Sequence, residues 1–331
     1  MTTLAIVGGG LMGRSLIYTL AKEQKYFEKI VLFSSDQITI PCTLNSTAIV
    51  ARRGITRGHS RLGDLLFEGH ELFSDHVISD RPHGIETVTQ YNGALTKLDT
   101  FLERFPNSSL SDKFFNQKFY LSEENAFMVD PRTYINWLLN ESKSFYQNSF
   151  ETLDDMVIDI LEEDRVYLKT LNGNKFEFDK VIFAGGSYNR FWASRVPDTK
   201  LNISKPVQGS YLEFNHVPWD RPSFSLTLEG DNLIWNNPLK RLFIGSTTND
   251  SIHYLPPKRE LTLIYERLSQ RVNLKFPPIE RSVFKVGLRE KAQKREPYII
   301  EKGRSVFVGG LYKNAFTLAL KLARTISLEH L

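Results

Sequence analysis

A glycine-rich loop near the N-terminus has the residue types and spacing of a dinucleotide-binding turn. It follows the apolar run Leu4–Val7 and precedes apolar residues that recur at helical spacing. In such a turn the first glycine permits a tight bend, the second lets the backbone approach a pyrophosphate, and the third lets helix and strand pack closely. The helix N-terminus offers free N–H groups and a partial positive charge to the phosphates. The loop residues expected to bind a dinucleotide are Gly8, Gly10, Leu11, Met12 and Gly13.

A ribose-binding acidic residue is expected where the second strand of such a unit ends. The apolar run 29–33 predicts that strand, and the expected position then falls on Ser34, which is not acidic. Asp36, two residues later, is the nearest carboxylate. Three interpretations stay open: Asp36 substitutes for the missing acid, the ribose contact is weaker, or the hydroxyl of Ser34 takes the place of the carboxylate.

Composition argues against several function classes. The 331 residues include 42 basic and 38 acidic side chains, and a net charge of +4 does not favour a nucleic-acid-binding protein. Cys42 is the single cysteine, so no intramolecular disulfide forms, and the seven histidines lack metal-binding spacing. No apolar run approaches the roughly 18 residues of a membrane span, and a strand pattern begins within the first few residues. We expect a cytoplasmic protein with no metal site, no nucleic-acid partner and no membrane span.

The remaining pattern mixes βαβ units with hairpins. A helix should begin at Asp130–Pro131, because Asp is a good N-cap and Pro suits the first helical position. Asn172–Gly173 is a hairpin turn signal. Further strands are predicted at 166–170, 176–178, 180–184, 242–245 and 305–308, and helices at 259–271 and about 314–326. The length suggests two domains, and this order of elements is typical of an α/β fold with an added antiparallel portion.

Eight segments between residues 4 and 326 match, in order, motifs of one known family. They are Ile6–Gly13, Val129–Pro131, Val181–Ser187, Lys205–Gly209, Phe243–Thr247, Val286–Arg289, Pro297–Ile299 and Gly309–Ala315. Together they resemble the FAD-dependent D-amino acid oxidase family, and within it the glycine oxidase and sarcosine oxidase group. The resemblance implies an α/β fold of the glutathione reductase-like FAD type. In that fold a Rossmann-type FAD-binding domain is interleaved with a substrate domain built on a mixed or antiparallel β-sheet.

The resemblance also implies domain boundaries and cofactor contacts. Residues 1–85, 128–205 and 285–331 would form the FAD-binding domain, and residues 86–127 and 206–284 the substrate-binding domain. FAD would lie extended, with its adenine at the backbone of Val157 and its flavin near Asn45, Ser46 and Thr47. Ala184, Gly185 and Gly186 would lie beneath the cofactor. The last loop would place backbone N–H groups near the flavin pyrimidine, through Tyr312, Lys313, Asn314, Ala315 and Phe316.

Two arginines are candidates for the substrate side. The family's arginine at the position of Arg289 binds the substrate carboxylate, and a guanidinium forms a planar, bidentate pair with such a group. Arg52 lies in a stretch where sarcosine oxidases carry a basic residue near the flavin, where a cation would stabilise anionic flavin or activate oxygen. From composition alone, the arginine-rich stretch 52–61 is either a solvated loop or a segment that faces an anion near a cofactor.

The implied activity is oxidation of a C–N bond in a small amine or amino acid, with hydride transfer to flavin N5 and hydrolysis of the resulting imine by water. Oxygen or an unknown acceptor would reoxidise the flavin. Three positions depart from the family pattern: Ala315 replaces a glycine, Lys313 an arginine, and Leu233 a tyrosine. Two alternatives therefore stay open, an FAD-binding protein with degenerate or absent oxidase activity and an NAD(P)-dependent dehydrogenase that uses only the N-terminal unit.

Overall fold

Eighteen strands and seven helices make up the part of the chain that the computed structural model describes, which is residues 2–35, 42–196, 204–250, 253 and 255–331. The strands are β1 (Thr3–Val7), β2 (Lys29–Ser34), β3 (Ile49–Ala51), β4 (Ile85–Ala94), β5 (Ser109–Ser111), β6 (Phe119–Val129), β7 (Phe150–Asp154), β8 (Val157–Glu162), β9 (Val166–Thr170), β10 (Lys175–Phe178), β11 (Lys180–Phe183), β12 (Ser204–Phe214), β13 (Phe224–Leu228), β14 (Asp231–Asn236), β15 (Arg241–Gly245), β16 (Val283–Ala292), β17 (Tyr298–Lys302) and β18 (Ser305–Gly309). The helices are α1 (Leu11–Lys22), α2 (Arg61–Asp80), α3 (Leu98–Arg104), α4 (Pro131–Tyr146), α5 (Asn189–Ala193), α6 (Lys258–Arg271) and α7 (Ala315–Glu329).

A six-stranded sheet carries the N-terminal loop. Its order is β17-β18-β11-β1-β2-β7, and every neighbouring pair is parallel except β17 with β18. The apolar runs of β1 and β2 are buried, as expected for parallel strands covered on both faces. Helix α1 connects these two parallel strands, so the predicted βαβ unit is confirmed. Since parallel strands end at the same edge, the loops after β1, β11 and β18 meet there.

A nine-stranded sheet forms the second layer of strands. Its order is β16-β12-β15-β14-β13-β4-β6-β3, with β5 beside β6, and the pairs are antiparallel except β13 with β4. One face packs on the amphipathic helix α6 through Leu261, Ile264 and Leu268. The two sheets together confirm the α/β class with an added antiparallel portion. Among the described residues, no helix is long and apolar enough to cross a membrane.

Local sequence signals account for several elements. The side chain of Asp130 accepts a hydrogen bond from the Thr133 N–H (2.7 Å), which confirms it as the N-cap of α4. Strands β9 and β10 form the hairpin predicted around Asn172–Gly173. The long helix α2 and the adjoining strands β4 and β6 are not among the elements that the sequence predicts. The region that contains them mixes polar and apolar residues without a clear period.

The predicted domain division stays a prediction, but strands β4, β6, β12 and β16 each cross one of its four boundaries. β16 begins at Val283 and pairs with β12 over ten residues, while the predicted boundary falls at 285. β12 itself begins at Ser204, just before the predicted boundary at 206. Strand β3, which we assigned to the FAD-binding domain, also pairs within the nine-stranded sheet. The nine-stranded sheet therefore includes short segments of the predicted FAD-binding domain.

A buried polar cluster holds α1 against its neighbouring helices. Asp80 of α2 accepts hydrogen bonds from Tyr18 (2.5 Å) and Lys22 (2.7 Å) of α1 and lies 2.8 Å from Nδ1 of His76. Tyr134 of α4 lies 3.2 Å from Nε2 of that imidazole. Burial alone would raise the pKa of Asp80, but the hydrogen bonds from Lys22, Tyr18 and His76 outweigh it and hold the pKa well below its usual range. Burial lowers the pKa of His76.

Replacing Asp80 by Asn tests this cluster. The variant loses the charge that pairs with Lys22, so we expect the free energy of unfolding at pH 7 to fall by about 1–3 kcal/mol. Because the folded pKa of Asp80 is depressed, its contribution is present above the unfolded pKa of about 4 and is lost as the pH falls through the folded value. His76, whose folded pKa is also depressed, destabilises the fold when it is protonated below about pH 6.5. Urea unfolding from pH 7 to pH 3 measures both effects. The control is Asp75→Asn, an exposed position on the same helix; an equal loss there would contradict the assignment.

Candidate functional site

The carboxyl edge of the six-stranded sheet opens into a cavity of about 390 Å³ that the nine-stranded sheet also lines. Fifteen of the predicted site residues line it: Gly8, Gly10, Leu11, Met12, Asn45, Ser46, Thr47, Ala184, Gly185, Gly186, Arg289, Tyr312, Lys313, Ala315 and Phe316. Five predicted residues do not line it: Gly13, Ser34, Arg52, Val157 and Asn314. The segments brought together lie up to about 300 residues apart in sequence, so the fold unites the separate motifs at one place.

The glycine loop has no room for side chains at its structural positions. Gly8 has a φ of 125°, and an added Cβ there would lie 2.6 Å from the carbonyl carbon of Ala184. A Cβ on Gly13 would overlap the carbonyl oxygen of Gly8. At Gly10, by contrast, an added Cβ would meet only Thr43 Oγ1 among the described residues, at 3.3 Å. Gly8 and Gly13 thus shape the turn, and Gly10 keeps the backbone open toward the cavity.

The start of α1 supplies donors for an anion. Its first turn carries no acidic residue, and its N-cap, Gly10, has no side chain to occupy the N–H groups. Thr43 Oγ1 accepts from the Leu11 N–H at 3.1 Å. Arg14, which the sequence analysis did not single out, is buried and donates from Nε to the Gly9 carbonyl at 2.7 Å. In the sequence, Arg14 could have been recognised as a charged residue at a position of α1 that the apolar pattern predicts to be buried.

At the end of β2, where a ribose-binding acid was expected, the residue that lines the cavity is Ser35 and not Ser34. Ser34 is buried beneath the loop, where a Cβ on Gly9 would collide with its side chain. The next residue, Ser35, lines the cavity. Ser34 thus packs against the Gly9 backbone at the position where a ribose-binding acid was expected. Asp36 lies outside the described residues.

The adenine contact predicted for Val157 falls beside the cavity rather than on its wall. The Val157 carbonyl accepts a hydrogen bond from the indole N–H of Trp192 at 2.8 Å. Met156 and Trp192 both line the cavity. Trp192 also packs so closely on Gly185 that an added Cβ there would collide with its ring. The exposed apolar surface at this end therefore comes from Met156 and Trp192.

A buried carboxylate, Glu290, joins three of the cavity walls, and the sequence analysis did not single it out. It accepts hydrogen bonds from Tyr298 Oη (2.6 Å), Ser204 Oγ (2.9 Å) and the Gly310 N–H (3.0 Å). Asn189 extends the network, because its Nδ2 donates to Tyr298 Oη (3.1 Å) and its Oδ1 accepts from the backbone N–H that follows Ala184 (2.9 Å). Burial raises the pKa of Glu290. In the sequence, the only indication that Glu290 belongs to the site is that it directly follows the matched Gly-Leu-Arg segment.

The loop after β18 brings a second helix N-terminus to the cavity. Gly309 lies against the Glu290 carboxylate, where a Cβ would collide with Oε2, and Gly310 has a φ of 74°. Helix α7 begins at Ala315, has no acidic residue in its first turn and no side-chain cap, and exposes Ala315 and Phe316 to the cavity. Its partial positive charge faces the region where the flavin pyrimidine was expected. Asn314, its N-cap residue, does not line the cavity.

Arg289 extends from β16 into the cavity past two glycines of the paired strands. Its guanidinium lies over Gly209, where an added Cβ would overlap Cζ, and Gly287 precedes it on the same strand face. Its Nη1 is buried and has no hydrogen-bond partner within the described part of the chain. A buried guanidinium nitrogen without an acceptor is costly, so the site is arranged for an anion that the protein does not supply.

The structure places Arg53, not Arg52, on the cavity wall. Arg52 lies over the ring of Phe67 at 4.6 Å, and its Nη2 is 4.0 Å from Glu71 on the exposed side of α2. Arg53 is the next residue, has a φ of 50° and lines the cavity. The backbone turns after β3, so neighbouring side chains point to different sides. Arg53, rather than Arg52, is therefore the basic residue of this stretch that faces the cavity.

Lys313 is a third cation of the cavity. Burial lowers its pKa to about 8, and the positive charges of Arg289, Arg295, Arg53 and Lys291 lower it in the same direction. No carboxylate lies within ion-pair distance of Lys313, Arg53 or Arg289 in the described ranges. Three cationic side chains therefore line one cavity, and the nearby Glu124 carboxylate offsets part of the charge of Arg53.

The tyrosine position that we matched to Leu233 lies on the other face of β14. Leu233 is fully buried in the core beneath the nine-stranded sheet. Its neighbours Asn232 and Ile234 line the cavity, because alternate residues of a strand point to opposite faces. The substitution expected at Leu233 thus concerns the core, and the residues that face the cavity from β14 are Asn232 and Ile234.

Comparisons with known proteins agree with this architecture. The model of a family described as FAD dependent oxidoreductase matches residues 3–327. Glycine oxidase from Geobacillus kaustophilus superposes with a TM-score of 0.77 at 15% identity, covering 99% of this chain and 94% of that one. An FAD-bound L-α-glycerophosphate oxidase from Mycoplasma pneumoniae gives 0.77 at 17%, covering 99% and 95%. Iminodiacetate oxidase from a Chelativorans species gives 0.75 at 14%, covering 98% and 94%. No curated protein matches the chain by sequence.

Alanine at Gly10 and at Gly13 should have separable effects. Gly10→Ala leaves the turn intact but places a methyl group where the cofactor pyrophosphate is expected. We therefore expect FAD affinity to fall roughly tenfold or more (~1.4 kcal/mol), while the thermal stability of the FAD-free protein changes little. In Gly13→Ala the added methyl group collides with the Gly8 carbonyl, so both the FAD affinity and the thermal stability should fall. Fluorescence titration with FAD and thermal denaturation of the FAD-free protein measure the two effects. Equal destabilisation of FAD-free protein by both changes would contradict the distinction.

FAD affinity should also depend on the charge of Lys313. The side chain is a cation below its pKa of about 8 and neutral above it, so FAD binding should begin to weaken as the pH rises past that value. Lys313→Arg, which keeps its charge, should remove the dependence, and Lys313→Met should bind on the order of tenfold more weakly at pH 7. The control is Lys321→Met on α7, whose lysine pairs with Glu68 outside the cavity. An unchanged pH dependence in Lys313→Arg would contradict the assignment.

Proposed function

Because this chain belongs to the family of FAD-dependent oxidoreductases, we propose that it oxidises the C–N bond of a small amine or amino acid. The observation that supports this choice most directly is Arg289, whose guanidinium lines the cavity with one buried, unpaired nitrogen, Nη1. A substrate carboxylate would satisfy that nitrogen. Two of the proteins that share the fold are named for amines that carry a carboxylate, glycine and iminodiacetate, whereas a third is named for glycerophosphate.

The cavity residues fit FAD at both ends. The open backbone at Gly10 and the uncapped start of α1 suit the pyrophosphate. The start of α7 and the Lys313 ammonium suit the electron-rich end of a flavin. When bound, FAD supplies the acceptor for a hydride from the substrate α-carbon, and the imine so formed is hydrolysed by water. The family match across nearly the whole chain favours FAD over the nicotinamide alternative.

The protein's contribution in this proposal is binding and orientation. Arg289 holds the carboxylate by a two-pronged, charge-assisted contact, which fixes the α-carbon relative to the cofactor. Glu290 is the one carboxylate among the described residues that line the cavity, and it already accepts three hydrogen bonds. No described lining residue is a histidine. The described lining side chains thus offer no free carboxylate or imidazole as a base, and in this proposal the amine reacts in its neutral form.

Anaerobic reduction of the bound flavin tests the proposal. FAD-loaded protein is mixed with small amines, N-alkylglycines and both enantiomers of α-amino acids, and the loss of flavin absorbance is followed. At least one of these compounds should reduce the flavin and bleach its absorbance. If none does while dithionite still reduces the flavin, the protein is an FAD-binding relative without this activity. Oxygen uptake compared with reduction of a dye then distinguishes an oxidase from a dehydrogenase.

Substitution of Arg289 tests the carboxylate contact separately. Arg289→Met should raise KM for a carboxylate-bearing substrate roughly 10- to 100-fold, because a charged hydrogen-bond pair is lost, and should change kcat less. Arg289→Lys should recover only part of the affinity, since an ammonium lacks the planar fork. The matched control is Arg281→Met, an exposed arginine just before β16. A KM for a neutral amine that rises as much as the KM for an amino acid would contradict the role.

A further inference from the structure

Three cationic side chains line the cavity, and two of them are arginines. They are Arg53, Arg289 and Lys313, and in the part of the chain that the structure describes no carboxylate forms an ion pair with any of the three. The one acidic lining residue, Glu290, already accepts hydrogen bonds from three neutral donors. Guanidinium groups that line a cavity without a direct partner can form charge-assisted hydrogen bonds with anionic groups of a ligand.

Hydrogen bonds to its backbone N–H and carbonyl groups fix the position of Arg53. Both oxygens of the Glu124 carboxylate accept from its backbone N–H at 3.0 Å, and Arg104 Nε donates to its carbonyl oxygen at 2.6 Å. These contacts fix the backbone at a positive φ and aim the side chain at the cavity. Asn92 donates to the same carboxylate at 3.1 Å. Glu124 therefore holds the Arg53 backbone, and its charge also acts on the Arg53 guanidinium, although no described carboxylate lies within ion-pair distance of that guanidinium.

The middle of the nine-stranded sheet adds polar groups to the same cavity. Thr227 and Asn232, from paired positions of β13 and β14, both line it. Thr227 Oγ1 donates a hydrogen bond to Asn232 Oδ1 at 2.8 Å. Thr227 Oγ1 in turn accepts a hydrogen bond from Gln90 Nε2 at 3.3 Å. These bonds orient the Asn232 amide so that its nitrogen, which has only a long 3.4 Å contact to Gly230, can donate to a ligand.

The three cations have different surroundings and so different expected partners. Lys313 belongs to the loop before α7, where the flavin is expected, and its charge is suited to the reduced cofactor. Arg289 projects from β16 at one edge of the nine-stranded sheet, and Arg53 follows β3 at the opposite edge. The charges of both arginines lower the pKa of Lys313, so all three act on one volume. One carboxylate on Arg289 would leave the Arg53 guanidinium without a directly paired anion among the described residues.

We propose that the substrate carries a second carboxylate and that Arg53 binds it, while Arg289 binds the first. The substrate class is then a small amine with two carboxylates, either on one amino acid or on two arms of a secondary amine. Arg53 is the residue that determines specificity for the second carboxylate, assisted by the Asn232 amide. This inference rests on the proposed function for the identity of the reacting amine, but the two-carboxylate site is testable without any reaction.

Inert carboxylates test the site directly. FAD-loaded protein is titrated with acetate, malonate, succinate and glutarate, and binding is followed by the change in flavin absorbance. At least one dicarboxylate should bind roughly tenfold or more tightly than acetate. Arg53→Met should abolish that preference, and Arg53→Lys should restore part of it because it keeps the charge. The matched control is Arg52→Met, the adjacent arginine outside the cavity, in which the preference should persist.

Flavin reduction by matched pairs then links the site to turnover. N-carboxymethylglycine is compared with N-methylglycine, and each enantiomer of aspartate with the same enantiomer of alanine. A dicarboxylate preference in wild type and Arg52→Met that is lost in Arg53→Met supports the proposal. Equal affinity of wild type for acetate and every dicarboxylate overturns it, even if amines reduce the flavin. If the dicarboxylates bind preferentially but no amine reduces the flavin, the proposed function fails and the two-carboxylate site stands.

Discussion

The hydrogen bonds to the buried Glu290 carboxylate are the contacts on which the geometry of the cavity depends. Glu290 lies on β16 of the nine-stranded sheet, and its donors Tyr298 and Gly310 belong to the end of the six-stranded sheet. One carboxylate thus fixes the separation of the two sheets where they line the cavity. Asn189 carries the same network to the loop after β11. Because a buried acceptor must keep its donors, these segments are held at one relative position.

The same packing explains where the sequence contains glycine. Gly309 leaves space for the Glu290 carboxylate, Gly209 for the Arg289 guanidinium, and Gly185 for the Trp192 ring. At each of these three positions a methyl group would collide with a side chain that forms the site. Gly8 and Gly13 likewise leave space, in their case for backbone atoms of Ala184 and of Gly8. These glycines therefore provide space for particular neighbours, which a motif alone does not reveal.

The sequence was sufficient for the elements with strong local signals. The buried run of β1, the glycine loop, the Asp130 cap and the Asn172–Gly173 hairpin each depend on residues within a few positions of one another. Helix α2 and the strands beside it were missed because their packing partners lie far away in sequence. The same limit applies to the site: Arg289 follows a recognisable motif, whereas Arg53 is distinguished from Arg52 only by a backbone turn after β3. Glu290 could be found only once its donors were brought together.

The lysine at position 313, where the resembled family commonly has arginine, is consistent with this charge distribution. Arginine stays protonated, so it would add a permanent charge to a cavity that already holds Arg53 and Arg289. Lysine loses its proton more readily than arginine, and desolvation together with the neighbouring cations lowers the pKa of Lys313 to about 8. At neutral pH the Lys313 ammonium is therefore still charged, and it loses its charge only as the pH rises past that value. Lysine at this position thus makes one of the three cavity charges dependent on pH, which arginine would not.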